Sequence, residues 1–230
     1  MTQDLTRHQY LQAMGIQTWV ARGENSAVVS GAPAVPVPVP DPGGAVSDMG
    51  WEQLQQTVSR CTRCSLHETR TQTVFGVGDR KAEWVFVGEA PGADEDRQGE
   101  PFVGRAGQLL NAMLKAIGLE REQVYIANVL KCRPPNNRDP RPEEVEQCEP
   151  YLLRQIELLQ PAILVALGRH AAHSLLKTDQ ALGRLRGTRH DYHGIPLVTT
   201  YHPAYLLRSP ADKRKAWDDL KLARQIVEGA

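Results

Sequence analysis

Four short runs of mostly apolar, β-branched or aromatic residues leave this chain little choice of fold. They are WVFV at 84–87, YIANVL at 125–130, PAILVAL at 161–167 and IPLVTTY at 195–201. Runs of this length and character read as strands buried on both faces. Helical patterns separate them. Leu109, Leu110, Met113, Leu114 and Ile117 recur at helical spacing and stop at Gly118. Residues 143–159 open with carboxylates, where the helix dipole favours them. Further helices are expected from Gly168 through Leu176 and over 213–227, where the pattern is amphipathic. Strand alternating with helix predicts an α/β fold, with a parallel sheet covered by helices on both faces. A short helix before Cys61 and a strand or hairpin arm at 71–77 complete this main domain, which is expected over 51–230.

The first run feeds the longest connection. Gly88, Pro91 and Gly92 break the strand, and an acidic loop is expected at 94–96. A second turn at 99–104 presents Pro101, Phe102 and Val103. In open α/β sheets such loops build ligand crevices at the carboxyl ends of the strands. The other three strand ends also carry residues that packing does not require. They are Asn128, then Gly168-Arg-His170, then His202-Pro-Ala-Tyr-Leu-Leu-Arg208. If the strands are parallel, Glu89, Phe102, Asn128 and His202 converge on one edge. Asn128 sits in an apolar strand, where its amide needs a partner. It either ties down a loop or reads a pyrimidine edge, accepting one hydrogen bond and donating another. His202 precedes Pro203, which restricts its backbone to extended conformations. Tyr205, Leu206 and Leu207 beside Arg208 fit a surface wedge of the kind that deforms DNA. They fit equally well the first turn of a buried helix.

Formal charge is zero, with 27 basic and 27 acidic residues, which argues against a protein that coats nucleic acid indiscriminately. Basic residues nevertheless cluster after strand ends: Lys131, Arg133, Arg138 and Arg141; Arg184, Arg186 and Arg189; Arg208, Lys213, Arg214 and Lys215. A phosphate-binding rim around the crevice is expected from them. No apolar run reaches bilayer length, and the first ten residues are too polar for a secretory signal. A cytoplasmic protein without membrane contact is expected. In that compartment the four cysteines Cys61, Cys64, Cys132 and Cys148 hold a metal or do chemistry rather than pair as disulfides. Their spacing, one CxxC and one wide pair, fits either a zinc site or a four-iron cluster.

Residues 1–30 carry one helical pattern, with Tyr10, Leu11, Met14, Ile16, Trp19 and Val20. APAVPVPVPDPGGAVSD follows, a stiff polyproline spacer. The peptide at 1–30 and the linker at 31–50 are therefore expected to stand apart from the domain. Within the peptide, TRHQYLQAMGIQTWVAR at 6–22 resembles the segment by which the psi subunit of a replicase clamp loader grips its chi partner.

GEAPGADEDRQGEPFVGRAGQLL, NVLKCRPPNNRDPRPEE and YHPAYLLR, together with the cysteine layout, resemble the family 4 uracil-DNA glycosylases of the iron–sulfur type. The resemblance covers about residues 51–228. It implies the three-layer α/β/α sandwich of that family, a [4Fe–4S] cluster on the four cysteines, a monomer, and uracil-containing DNA, single- or double-stranded, as substrate. It also implies roles for residues. Phe102 stacks on a flipped uracil, Asn128 reads its edge and His202 contacts O2. Glu89 and Ala90 lie in the loop that positions the attacking water, and Gly88 and Ala90 border the bound base. Ala90 falls where other glycosylases place an aspartate, so Glu89 and Glu95 are the candidate carboxylates. Glu95 is alternatively a steric gate against the thymine methyl. Leu206 takes the intercalating position, flanked by Tyr205 and Arg208 on the DNA. A related subgroup stays covalently trapped on DNA through a histidine-bearing insertion after the Asn strand; 131–141 has no histidine, which favours turnover. An iron–sulfur redox or interaction protein is the third reading.

Overall fold

A computed structural model describes residues 45–229; the peptide at 6–22 and nearly all of the Pro-rich spacer lie outside the described residues. Helix α1 (Trp51–Ser59) is followed by β1 (Val77–Gly78), β2 (Trp84–Gly88), α2 (Ala93–Gln98), α3 (Arg105–Ala116) and β3 (Tyr125–Asn128). Next come α4 (Pro142–Leu159), β4 (Ile163–Leu167), α5 (Arg169–Leu176), α6 (Leu182–Leu185) and β5 (Arg189–Tyr192). β6 (Ile195–Thr200), α7 (Pro203–Arg208) and α8 (Lys213–Glu228) close the chain. The strands form one sheet of order β1-β3-β2-β4-β6-β5. The four apolar runs are its parallel centre. Antiparallel β1 and β5 form the two edges, so the sheet is mixed rather than wholly parallel.

Alternation along the strands splits the core into two layers. Val85, Val87, Ala127, Leu164, Ala166 and Leu197 pack on one face with Leu152 and Ile156 of α4 and Ala171, Ala172 and Leu175 of α5. Phe86, Ile126, Ile163, Val165, Leu167 and Val198 pack on the other with Leu110 and Leu114 of α3 and Leu220 and Ala223 of α8. The result is an α/β/α sandwich.

Three local expectations need correction. The acidic stretch after Gly92 is helix α2, not loop: Asp94, Glu95 and Asp96 occupy its first turn, where the dipole stabilises them. A hairpin was missed, because β5 reads RHDY and presents mostly polar, exposed side chains. His193 and Gly194 both take positive φ, 52° and 85°, as a tight two-residue hairpin turn demands. The body also starts before Trp51. Residues Val46–Asp48 form a 3-10 turn and Met49 is buried in a third apolar cluster with Leu54, Val58 and Leu66, so the spacer drawn to residue 50 is shorter.

Candidate active site

From β2 the chain passes through α3 to β3 on one side, then through α4 to β4 on the other. The strand order therefore reverses between β2 and β4, where open α/β sheets hold their ligands. A cavity of about 760 Å³ opens there, lined by Glu89, Ala90, Phe102, Asn128 and His202 among others.

Asn128 is the last residue of β3 and is 2 % exposed. Its Oδ1 is one of five buried side-chain atoms without a hydrogen-bond partner among the described residues, and the one whose residue lines this cavity. Gly88, opposite it in the sheet, makes room: a Cβ there would lie 2.3 Å from Asn128 Oδ1 and 2.7 Å from Phe102 Cζ. Amide and ring thus meet over a floor that only glycine provides. Phe102 itself takes φ 55°, a left-handed conformation costly for an aromatic residue, which marks the turn as held by its surroundings.

His202 completes the third wall, its ring 5.4 Å from that of Phe102 and inclined by 30°. Gly168 takes φ 92° where it meets His202, and a Cβ there would come within 2.8 Å of His202 Cβ. The imidazole Nδ1 accepts the Ala204 N–H at 3.1 Å. The ring proton therefore sits on Nε2. Burial, with Arg208 adding to it, pulls the ring's pKa down to about 4. His202 is a neutral donor at neutral pH.

Glu89 is half-buried at the end of β2. Burial, with Asp139 adding and Arg169 opposing, pushes its carboxyl up to about 7. Glu95 is different. Its Oε2 accepts from Gly92 N–H at 3.1 Å, and its Oε1 from Val103 at 3.0 Å and Gly104 at 3.3 Å. The carboxylate cross-ties the two arms of the pocket loop and does not stand free as an acid or base.

Two further sequence expectations change. Leu206 is 1 % exposed, because α7 turns it inward, so it is no surface wedge. Tyr205 is the exposed apolar group, 36 % accessible, its ring stacked on Tyr201 and its hydroxyl donating to Asp212. The basic rim also thins. Arg138 is spent on buried Glu144 and Arg186 on Asp219, while Lys131 is 1 % exposed and donates to the Asn128 carbonyl at 2.9 Å. Arg208 stays exposed beside the pocket. Arg169 and His170, noted at the third strand end but given no role there, line it too, as do Asp139 and Tyr201, which were not singled out from sequence.

Residues 75–221 match the family described as the uracil DNA glycosylase superfamily. The type-4 uracil-DNA glycosylase of Archaeoglobus fulgidus is 48 % identical over 178 residues, covering 74 % of this chain and 89 % of that protein. That of Thermotoga maritima is 43 % identical over 181 residues, 77 % and 94 % of the two chains. This chain belongs to the type-4 uracil-DNA glycosylases. A type-5 uracil-DNA glycosylase from Thermus thermophilus is more distant, 33 % identical over 149 residues, 56 % and 68 % of the two chains.

In this type-4 chain the four cysteines gather beyond the α1 end of the site. They line one small cavity with Arg63, Arg70, Lys131 and Tyr151. Arg70 donates to Cys132 Sγ at 3.0 Å, the Lys131 N–H to Cys148 Sγ at 3.2 Å, and Tyr151 Oη to Cys61 Sγ at 3.3 Å. Burial raises the thiols of Cys64, Cys132 and Cys148, the last to about 12. Among the described residues the one trio of ligating groups within 4.8 Å of one another is Glu89, Asp139 and His170, so no three sulfurs approach that closely. A single zinc with Zn–S bonds of about 2.3 Å draws its sulfurs to within roughly 4 Å of each other. Among the described residues, no helix is long and apolar enough to cross a membrane.

Proposed function

We infer that this chain excises uracil from DNA, hydrolysing the bond between uracil N1 and the sugar C1′ and leaving an abasic site. The buried, unpartnered Asn128 Oδ1 carries the inference. Uracil offers N3–H to such an acceptor and O4 to the same amide's NH₂. Cytosine presents an acceptor and a donor there and leaves both groups of the amide unmatched. Phe102 stacks on the flipped base, which must leave the helix before its glycosidic bond can be reached. Ala90 and the Glu95-braced loop close the pocket around it.

His202 donates from Nε2 to uracil O2. As the C1′–N1 bond breaks, its electron pair passes to the departing uracil, and a neutral donor in a water-poor site stabilises that anion. Water oxygen then bonds C1′ and its proton passes to Glu89, whose carboxylate also faces the sugar cation. Tyr205, Leu207 and Arg208 contact the DNA around the extruded nucleotide, with Arg208 on phosphate. Turnover rather than covalent trapping is supported by the pocket-side loop at 131–141, which contains no histidine nucleophile.

Cys61, Cys64, Cys132 and Cys148 hold a [4Fe–4S] cluster, whose wide ligand spacing and surrounding donors this geometry fits. Bound, it staples α1 and α4 to the loop after β3. That loop carries Lys131, whose ammonium secures the Asn128 carbonyl. Residues 1–30 form a partner-binding peptide on the Pro-rich spacer. The resemblance at 6–22 makes a clamp-loader chi subunit its partner, which raises the enzyme's effective concentration on newly copied DNA. Full-length protein binding chi, and Trp19→Ala failing to bind, supports the tether; equal binding by both removes it.

Incubation with a uracil-containing oligonucleotide, then alkali, tests the activity. Strand breakage only at uracil is expected. An intact strand contradicts it.

A further inference from the structure

Loops from three different strands bring two carboxylates and an imidazole to one corner of the pocket. Glu89 follows β2, Asp139 lies in the loop after β3, and Arg169 and His170 open α5 after β4. His170 Nε2 is 4.0 Å from Glu89 Oε2 and 3.3 Å from Asp139 Oδ2. The Arg169 guanidinium meets the same nitrogen at 3.0 Å and reaches Asp139 at 3.5 Å. Nε2 therefore sits between a guanidinium, which only donates, and two carboxylates, which only accept. Base recognition uses none of these three residues, yet the geometry locks them together against the carboxylate assigned to the water.

Resting on the reading that Glu89 takes the water proton, we propose that Asp139, Arg169 and His170 are positioning residues that surround the Glu89 carboxylate and set the pH at which excision begins. Asp139 places a like charge near Glu89, Arg169 an opposite one, and His170 fills the space between them as a neutral spacer. Of the other charged and titratable groups lining the cavity, Glu95 has its carboxylate taken by backbone amides and Arg138 is paired with Glu144, and Tyr201, His202, Tyr205 and Arg208 complete the lining. The directions on Glu89 agree: Asp139 raises its pKa and Arg169 lowers it. A base works only when deprotonated, so the rate rises with pH through the Glu89 pKa. Removing the like charge lowers that pKa and removing the opposite charge raises it.

The test is single-turnover excision on a uracil oligonucleotide at saturating enzyme, from pH 5 to pH 9, so that DNA affinity does not enter. Both side chains to be changed are exposed, and circular dichroism verifies folding. Asp139→Asn is expected to shift the acid limb to lower pH and Arg169→Gln to higher pH, each by on the order of half a unit after solvent screening. A purely structural role would lower the plateau without moving the limb. Unmoved midpoints, or shifts of the same sign, overturn the proposal. Glu89→Gln separates the two failures. If it keeps the wild-type rate and profile, the role of Glu89 itself is wrong. If it abolishes the limb while the other two variants leave it in place, only the positioning proposal fails.

Discussion

The uracil pocket and the cysteine cavity lie on either side of one loop and treat their polar atoms in opposite ways. In the pocket, Asn128 Oδ1 is buried without a partner, and His202, its Nδ1 taken by the Ala204 N–H, lines the cavity. Around the cysteines, three of the four sulfurs accept hydrogen bonds from Arg70, Lys131 and Tyr151. A site that must bind and release leaves valences open and accepts the cost; a site that only holds fills them. Lys131 joins the two, with its N–H on Cys148 and its ammonium on the Asn128 carbonyl.

That contrast can be broken most severely at the cysteines. Cys132→Ser is expected to yield colourless, poorly folded protein, because the metal's binding energy is folding energy. Visible absorbance, iron content and thermal unfolding measure it; stoichiometric zinc in the wild type would overturn the cluster. On the pocket side, His202→Ala should slow single-turnover excision by about 10²–10³-fold with little change in DNA affinity, as for loss of an oxyanion donor. A loss seen only as weaker binding would make His202 a docking residue. Leu206→Ala sharpens the boundary between the two kinds of site. Buried on the inner face of α7, it should cost about 2–5 kcal/mol of stability in denaturant unfolding. Loss of activity at unchanged stability would return it to the DNA. Smallest is Arg208→Ala, expected to weaken DNA binding a few-fold and reduce the salt dependence by about one phosphate contact.

The sheet was legible because its centre is written in four apolar runs, each long enough to be buried on both faces. β5 was not: RHDY has no apolar signature, and His193 is not the usual residue for its turn. The pocket's main residues were legible as polar or aromatic groups stranded at strand ends. Their partners were not. Whether Leu206 points in or out depends on the phase of a six-residue helix, which periodicity over one and a half turns does not set. Lys131 read as a surface cation, although its stem lies in the core and its charge is held on a carbonyl. Asp139 and His170 stand 31 residues apart in sequence and meet only because β3 and β4 flank β2.

The central claim is that Asn128 serves the substrate and not the fold. Single-turnover excision from a uracil oligonucleotide by wild type and Asn128→Ala, beside the two melting temperatures, tests it directly. We expect excision to fall by at least about a hundred-fold. The melting temperature should stay within about 4 °C, because the deleted acceptor had no partner to lose. Unchanged excision, or a loss that simply follows a lower melting temperature, would contradict it.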